Sequence, residues 1–336
     1  MSEVPKPSKG YEYEVCKFTV EKPIATFMIS NPRARNSYTM KTWEGLSNAI
    51  QVVRDDDDIR VLVITGDPEG KTFCAGLNVK SVYKGRAAEA GQQVEVSGAP
   101  PSLAEENFFP GTAWHKVLQE KGAIFGLDRG MPPDIKSKAH AKYVWWKAHT
   151  LRGGYWMTRG YDLLRLPKPV IAMVNGMGAW GAGADLAFHC DIICMSDQAS
   201  LTWNYIHRTA LPMEGAAFWL SRIIGYQRAL EIIWRAKPVS AQQAYDWGLI
   251  NHIWSEAELK EKTYALAMEL ATEIPPMNLG LNKYHVQLAL DDFVHKAELF
   301  QELVTRPLSR VVEESEDMLE AVKAFAEKRQ PVYNGY

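Results

Sequence analysis

Cysteine is scarce: there are four in 336 residues and no C-x-x-C pair. That removes sequence support for a disulfide framework or a structural zinc site. Three of the four lie in apolar segments, as expected of reduced core thiols in a cytoplasmic protein. Charge of one sign is also missing, since 38 Lys plus Arg against 40 Asp plus Glu give a formal net charge of −2. A general nucleic-acid binder needs a basic face that this balance does not supply, although a local basic patch is compatible with it. No apolar run reaches the length of a membrane span. Residues 1–15 (MSEVPKPSKGYEYEV) lack the apolar centre of a secretory signal. There is no G-x-S-x-G elbow and no H-E-x-x-H, so a serine triad or a zinc hydrolase has no direct support. The acidic run at 55–58 lacks EF-hand spacing and reads as a solvated turn, and no metal site is expected.

What is present is a chain with 46% hydrophobic and 23% charged residues, enough apolar material for a large core. Residues 14–20 and 24–30 alternate around Glu21-Lys22-Pro23 and predict a hairpin. Thr39 is placed to cap a helix reaching about Arg54, with Trp43, Leu46, Ile50 and Val53 on one face. Apolar runs at 61–65, 170–174 and 192–195 read as buried strands. Helical patterns are expected at about 215–234, 240–247, 256–273, 278–303 and 309–328.

Two segments carry the chemical signal. In 170–191 (VIAMVNGMGAWGAGADLAFHCD) a β-branched run ends at Asn175-Gly176 and is followed by a crowd of small residues and a helix-like run. Such a strand–turn–helix brings backbone N–H groups to a helix start, where small side chains allow close approach. It suits a bound phosphate or the oxyanion of a thioester carbonyl, and equally a tight helix–sheet packing turn. The second segment, VLVITG at 61–66 followed by KTFCAGLN at 71–78, repeats the strand-then-small-loop pattern. Two such loops on neighbouring strands can aim two N–H donors at one oxygen.

The pair FCAGLN (73–78) and KPVIAMVNG (168–176) resembles the crotonase, or enoyl-CoA hydratase/isomerase, family. NPRARNS (31–37), AQQAYDWGLI (241–250) and AFAEKRQP (324–331) resemble three further motifs of that family in the same order. The resemblance implies an α/β fold built as a spiral of ββα units with a helical C-terminal region. It divides the chain into a core over 1–255 and a helical trimerisation region over 256–336. It also implies an acyl-CoA substrate, coenzyme A entering as part of that substrate rather than as a cofactor, and assembly as a homotrimer or homohexamer.

Matched motif to motif, the resemblance puts the oxyanion-hole amides at Ala75 and Ala182, with Gly181 or Gly183 as alternatives for the second because that motif holds one residue more than usual. Coenzyme A contacts fall at Arg33, Arg35, Ala75 and Leu77, and at Lys283, which would reach in from a neighbouring subunit. The family's two glutamate positions fall here on Asp185 and Tyr205, so the two-glutamate hydration mechanism does not transfer intact. Glu214 stands close to where some members carry a different acid. Asp185, Tyr205 and Glu214 are therefore the candidate catalytic groups. Each also has a plainer reading: a helix-start carboxylate, a pocket aromatic and a helix cap. His207 is a weaker candidate base that reads more readily as a surface or core residue, and His189 reads as structural.

The implied reaction is enoyl-CoA hydration or its reverse on a bulky or cyclic acyl group. Double-bond isomerisation, C–C hydrolysis of a cyclic acyl-CoA, or acyl-CoA binding without catalysis are the alternatives. The main departure from the family lies at about 84–155, an inserted stretch with Trp114, Trp145, Trp146, Tyr155 and Trp156 close by or within it. These aromatics, with Trp203 and Trp219, suit a rigid wall for a ring-bearing acyl group, or equally a subunit contact.

Overall fold

Strands form where the sequence offers unbroken apolar runs, and the runs are unbroken because both faces of the sheet are covered. The computed structural model describes residues 11–78, 160–208, 210–212, 214–290, 296–297, 300, 305, 316–327 and 329–332. Trp114, Trp145, Trp146, Tyr155 and Trp156 lie outside the described residues; Trp203 and Trp219 are considered below.

The first three strands are β1 (Tyr11–Tyr13), β2 (Cys16–Glu21) and β3 (Ile24–Ile29). Then come α1 (Met40–Asp55), β4 (Val61–Gly66) and α2 (Gly160–Arg165). β5 (Val170–Val174), β6 (Gly178–Trp180), α3 (Ala182–Phe188), β7 (Ile192–Ser196) and β8 (Ser200–Thr202) follow. The chain continues through α4 (Ala216–Ile223), α5 (Tyr226–Arg235), β9 (Val239–Ser240), α6 (Ala241–Asp246) and β10 (His252–Trp254). Three helices complete the order: α7 (Glu256–Glu273), α8 (Pro276–Ala289) and α9 (Glu316–Glu327).

Seven strands make the large sheet in the order β1-β2-β3-β4-β5-β7-β10, antiparallel from β1 to β3 and parallel from β3 onward. A small sheet of β6-β8-β9 stands apart from it. The chain runs large sheet, small sheet, helix at β5-β6-α3 and again at β7-β8-α4, which is the expected ββα spiral. The hairpin turns at Lys22-Pro23, pairing Glu21 with Ile24.

Side chains alternate across the strands with a period of two. Leu62, Ile64, Val170, Ala172 and Val174 enter one core with Phe18, Phe27 and the apolar face of α1. Val61, Val63, Ile171 and Met173 enter a second core beneath α7, where Leu259 and Ala267 meet them. The boundary expected at 255/256 therefore separates β10 from the helix that covers its own sheet, so it is not a break in packing.

Two other expectations change. The helix expected over 215–234 is two helices, parted at Gly225, whose φ of +79° is left-handed backbone that only glycine adopts cheaply. The helix expected over 278–303 starts earlier, at Pro276, as suits proline in a first turn. All four cysteines are buried and unpaired. No described helix is long and apolar enough to cross a membrane.

Candidate active site

The motif asparagines and the motif lysine turn out to be structural. Asn175 Oδ1 accepts the Gly66 N–H (3.1 Å) and the Thr65 hydroxyl (3.2 Å), while its Nδ2 donates to Gly66 O (3.0 Å). It thereby locks the ends of β4 and β5 side by side. Asn36 Nδ2 donates to Asp67 O (2.8 Å) and Thr72 O (2.7 Å), fixing the N-terminal loop to the chain leaving β4. Lys168 Nζ caps the end of α1 through Val53 O (2.6 Å) and Asp56 O (2.7 Å).

With those ends fixed, the two small-residue loops meet. Cys74 bridges Ala179, and Trp180 N–H donates to Cys74 O (2.9 Å). The approach is close enough to demand glycine. A Cβ on Gly183 would stand 2.4 Å from Cys74 O. Gly76, at φ +87°, sits where an added Cβ would be 2.7 Å from Trp180 O and 3.3 Å from Ala182 N. The Ala182 amide nitrogen thus lies beside the first loop. The Ala75 amide does not stand open: it donates to Arg35 O (3.1 Å). Arg35 adopts a left-handed turn, at φ 51°, and its carbonyl occupies the donor assigned to the thioester oxygen.

Asp185 lies on α3 and is fully buried. Trp203 Nε1 donates to its Oδ1 (2.9 Å), and the Tyr205 hydroxyl donates to its Oδ2 (2.5 Å). Burial pushes its carboxyl up to about 7, while the two donors pull it back. Glu214, just ahead of α4, is also buried, and the Tyr38 hydroxyl donates to its Oε1 (2.5 Å). Its Oε2 has no hydrogen-bond partner among the described residues. Burial raises the Glu214 carboxyl well above the usual carboxylate range; the Asp185 charge adds to this and the Tyr38 hydroxyl opposes it. Burial likewise raises the phenols of Tyr38 and Tyr205, so both stay protonated and act as donors. Cys74, nearby, is pushed up to about 12 by burial and is a thiol rather than a nucleophile.

The structure therefore brings Asp185, Tyr205 and Glu214 into one electrostatically linked group and adds Trp203, expected only as a wall, and Tyr38, which the sequence reading did not assign. Trp203 is not a free wall: it is buried against Phe188 with its N–H committed to Asp185. Tyr38 was not singled out at all, because its partner is 176 residues away in sequence. Trp219 is buried against Tyr161, His189 and Phe218. His189 is a buried ring whose Nδ1 lies 2.7 Å from Asp185 O, and burial lowers it to about 4. His207 is exposed.

At the expected coenzyme A end, Arg33 and Arg35 are exposed, and the Arg35 guanidinium lies 5.8 Å from the centre of the Trp180 ring. Leu77 is bridged to Tyr38 through the backbone and packs partly buried on the core. Lys283 does not fit the expected role. Its Nζ is held by Asp191 Oδ2 (2.7 Å) and Leu163 O (2.8 Å), tying α8 to the start of β5 rather than reaching a nucleotide.

The fold has counterparts among solved structures. A carnitinyl-CoA hydratase from Mycobacterium avium aligns with a TM-score of 0.67 at 25% identity, covering 97% of this chain and 100% of that one. An enoyl-CoA hydratase from Mycobacterium avium subsp. paratuberculosis K-10 aligns at 0.66 and 18% identity, covering 96% and 100%. The fold is thus that of the crotonase class. The family model for enoyl-CoA hydratase/isomerase matches residues 19–99 and 149–336, and the chain belongs to that family of acyl-CoA enzymes. Curated relatives include the 1,2-epoxyphenylacetyl-CoA isomerase of Escherichia coli (strain K12), 27% identical over 316 residues, covering 94% of this chain and 97% of the relative. The carnitinyl-CoA dehydratase of Salmonella heidelberg (strain SL476) is 27% identical over 322 residues, covering 96% and 99%. Residues 100–148, inside the expected insertion, fall outside the family match.

Proposed function

We propose that the enzyme hydrates the double bond of a bulky or cyclic enoyl-CoA, or runs the reverse dehydration, with Asp185 as base and Glu214 as acid. The observation that carries this reading is the pair of buried carboxyls held differently: Asp185 has a donor on each oxygen, while Glu214 has one on Oε1 and none on Oε2 among the described residues, with burial favouring its protonated form. Groups whose environments separate their proton affinities divide into base and acid. In the dehydration direction Asp185 takes the α-proton, the Ala182 amide receives the developing enolate oxygen, and Glu214 protonates the departing hydroxyl. The Ala75 amide joins as second donor when the thioester oxygen replaces Arg35 O. Tyr205 and Trp203 hold Asp185 in place.

Arg33 and Arg35 are the cations available to the phosphates of coenzyme A. Assembly as a homotrimer or homohexamer belongs to the same reading, supported by the exposed Met277, Leu281, Val286 and Leu288 of α8. The four buried, unpaired thiols support a cytoplasmic location.

A panel of enoyl-CoAs, followed by loss of the conjugated-thioester absorbance, tests the reading, with crotonyl-CoA and cinnamoyl-CoA as the first pair. Turnover of the ring-bearing ester with the higher kcat/KM is expected. Silence on every enoyl-CoA, or a clear advantage for the four-carbon ester, counts against it. Isomerisation is the second reading, favoured by the relative named as an epoxyphenylacetyl-CoA isomerase. It is recognised by product mass unchanged from substrate, where hydration adds one water.

A further inference from the structure

We propose that Tyr38 is a positioning residue of this site: its hydroxyl fixes one oxygen of the Glu214 carboxyl so that the other is presented to the acyl group. The proposal rests on the reading of Glu214 as the acid.

Glu214 could reach burial only with a partner, because a buried polar group without one is costly. Tyr38 supplies half of what the carboxyl needs. Its hydroxyl stands 2.5 Å from Oε1, and Oε2 is left buried with no partner among the described residues. With the phenol donating to Oε1, the proton of the neutral acid sits on Oε2, the oxygen that no described group uses. Asp185, by contrast, has a donor on each of its oxygens.

Tyr38 is itself held from two sides. Its N–H donates to Gly76 O (3.0 Å) and its C=O accepts from Asn78 N–H (3.0 Å), pairing it with Leu77 in the first small-residue loop. Its ring packs edge-on against Trp43 of α1 at 5.0 Å. Backbone pairing, ring contact and burial thus hold the phenol, and the position of the acid is tied to the loop that carries Ala75 and Gly76. The other titratable groups that sense Glu214 are Asp185, Tyr205 and Cys74. Cys74 and Tyr205 are neutral, which leaves Asp185 as the one charge in this group facing it.

The test compares Tyr38→Phe, Glu214→Gln and the double variant of the full chain in hydration of cinnamoyl-CoA. Tyr38→Phe is expected to lower kcat about tenfold with KM nearly unchanged, the signature of a contact that matters in the transition state. The pH limb of Glu214 moves upward, because the ionised carboxyl has lost a donor. In the Glu214→Gln background the same change costs less than about twofold, since a positioning residue has nothing left to position. If Glu214→Gln abolishes turnover while Tyr38→Phe keeps full kcat and an unmoved limb, or if the two losses multiply, the positioning role is overturned. If Glu214→Gln itself leaves kcat intact, it is the acid assignment that fails. A readout that needs no turnover is 13C-NMR titration of the Glu214 carboxyl in the free protein. Its midpoint should rise in Tyr38→Phe and fall when fluorotyrosine, a stronger donor of the same shape, is incorporated at position 38. A midpoint unmoved by both overturns the proposal.

Discussion

Asp185 and Glu214 are both acids buried next to the meeting point of two loops, yet the fold holds them in opposite ways. Asp185 has a donor on each oxygen, from Trp203 and Tyr205, and those donors keep its ionised form accessible near neutral pH. Among the described residues Glu214 has a donor on one oxygen only, and burial favours its protonated form. Two carboxyls of the same chemistry, both raised by burial, are held differently because the number of donors each one meets differs, and the proposed division into base and acid rests on that difference. Tertiary contacts, rather than residue type, set that number.

The most direct way to break the contrast is Asp185→Asn. Loss of the base is expected to reduce turnover roughly a thousandfold, within the range for general acid–base groups. The same variant changes the pH dependence of stability. The Asp185 carboxyl is raised in the folded state from 3.8 to about 7, so the folded protein binds its proton more tightly than the unfolded chain. That stability is fully present below about pH 4 and is lost as pH rises through 7, amounting to about 4 kcal/mol. Urea melts at pH 5 and pH 8 should show the decline in the parent protein and a flatter one in Asp185→Asn.

Glu214→Gln removes the acid and is expected to cost roughly a hundredfold in kcat. In the parent protein kcat rises as Asp185 ionises through about pH 7 and falls again at higher pH when Glu214 gives up its proton. Only the falling limb should vanish in Glu214→Gln. A profile that keeps both limbs would show that another group supplies the second proton.

Trp203→Phe makes Asp185 more like Glu214 by stripping one of its donors. It should lower kcat at pH 7 about tenfold and move the rising limb to higher pH, because the ionised carboxyl has lost stabilisation. Thermal melts should fall by a few degrees, since the change leaves a buried carboxylate oxygen unpaired. A limb that stays in place would mean Trp203 is packing alone. The smallest effect is expected outside the carboxyl pair. Arg33→Glu should weaken coenzyme A ester binding a few-fold at low salt and hardly at all at high salt, without moving either limb. Unchanged affinity at low salt removes Arg33 from the site.

Much of this molecule was legible in its residues. The runs at 61–66 and 170–174 could be read as buried strands because unbroken β-branched stretches fit only a sheet covered on both faces. Thr39 ahead of an apolar stripe placed α1, and the order of five motifs placed the family. The small residues of 73–78 and 178–184 announced a close approach of two backbones, since nothing larger than glycine fits at positions such as 183. Local chemistry and short-range spacing determine these features, and both are written along the chain.

The rest was decided by contacts between distant segments. That Tyr38 meets Glu214, that Trp203 is a donor to Asp185 rather than a wall, and that Lys283 is consumed by Asp191 all depend on how the sheets stack. Arg35 O covering the Ala75 amide depends on a left-handed turn in a loop 40 residues upstream. The sequence determined which groups are available and which backbones come together. Which hydrogen-bond partner each buried polar group receives was decided only by the tertiary structure, because burial removes water as the default partner and leaves whatever the fold happens to bring within reach.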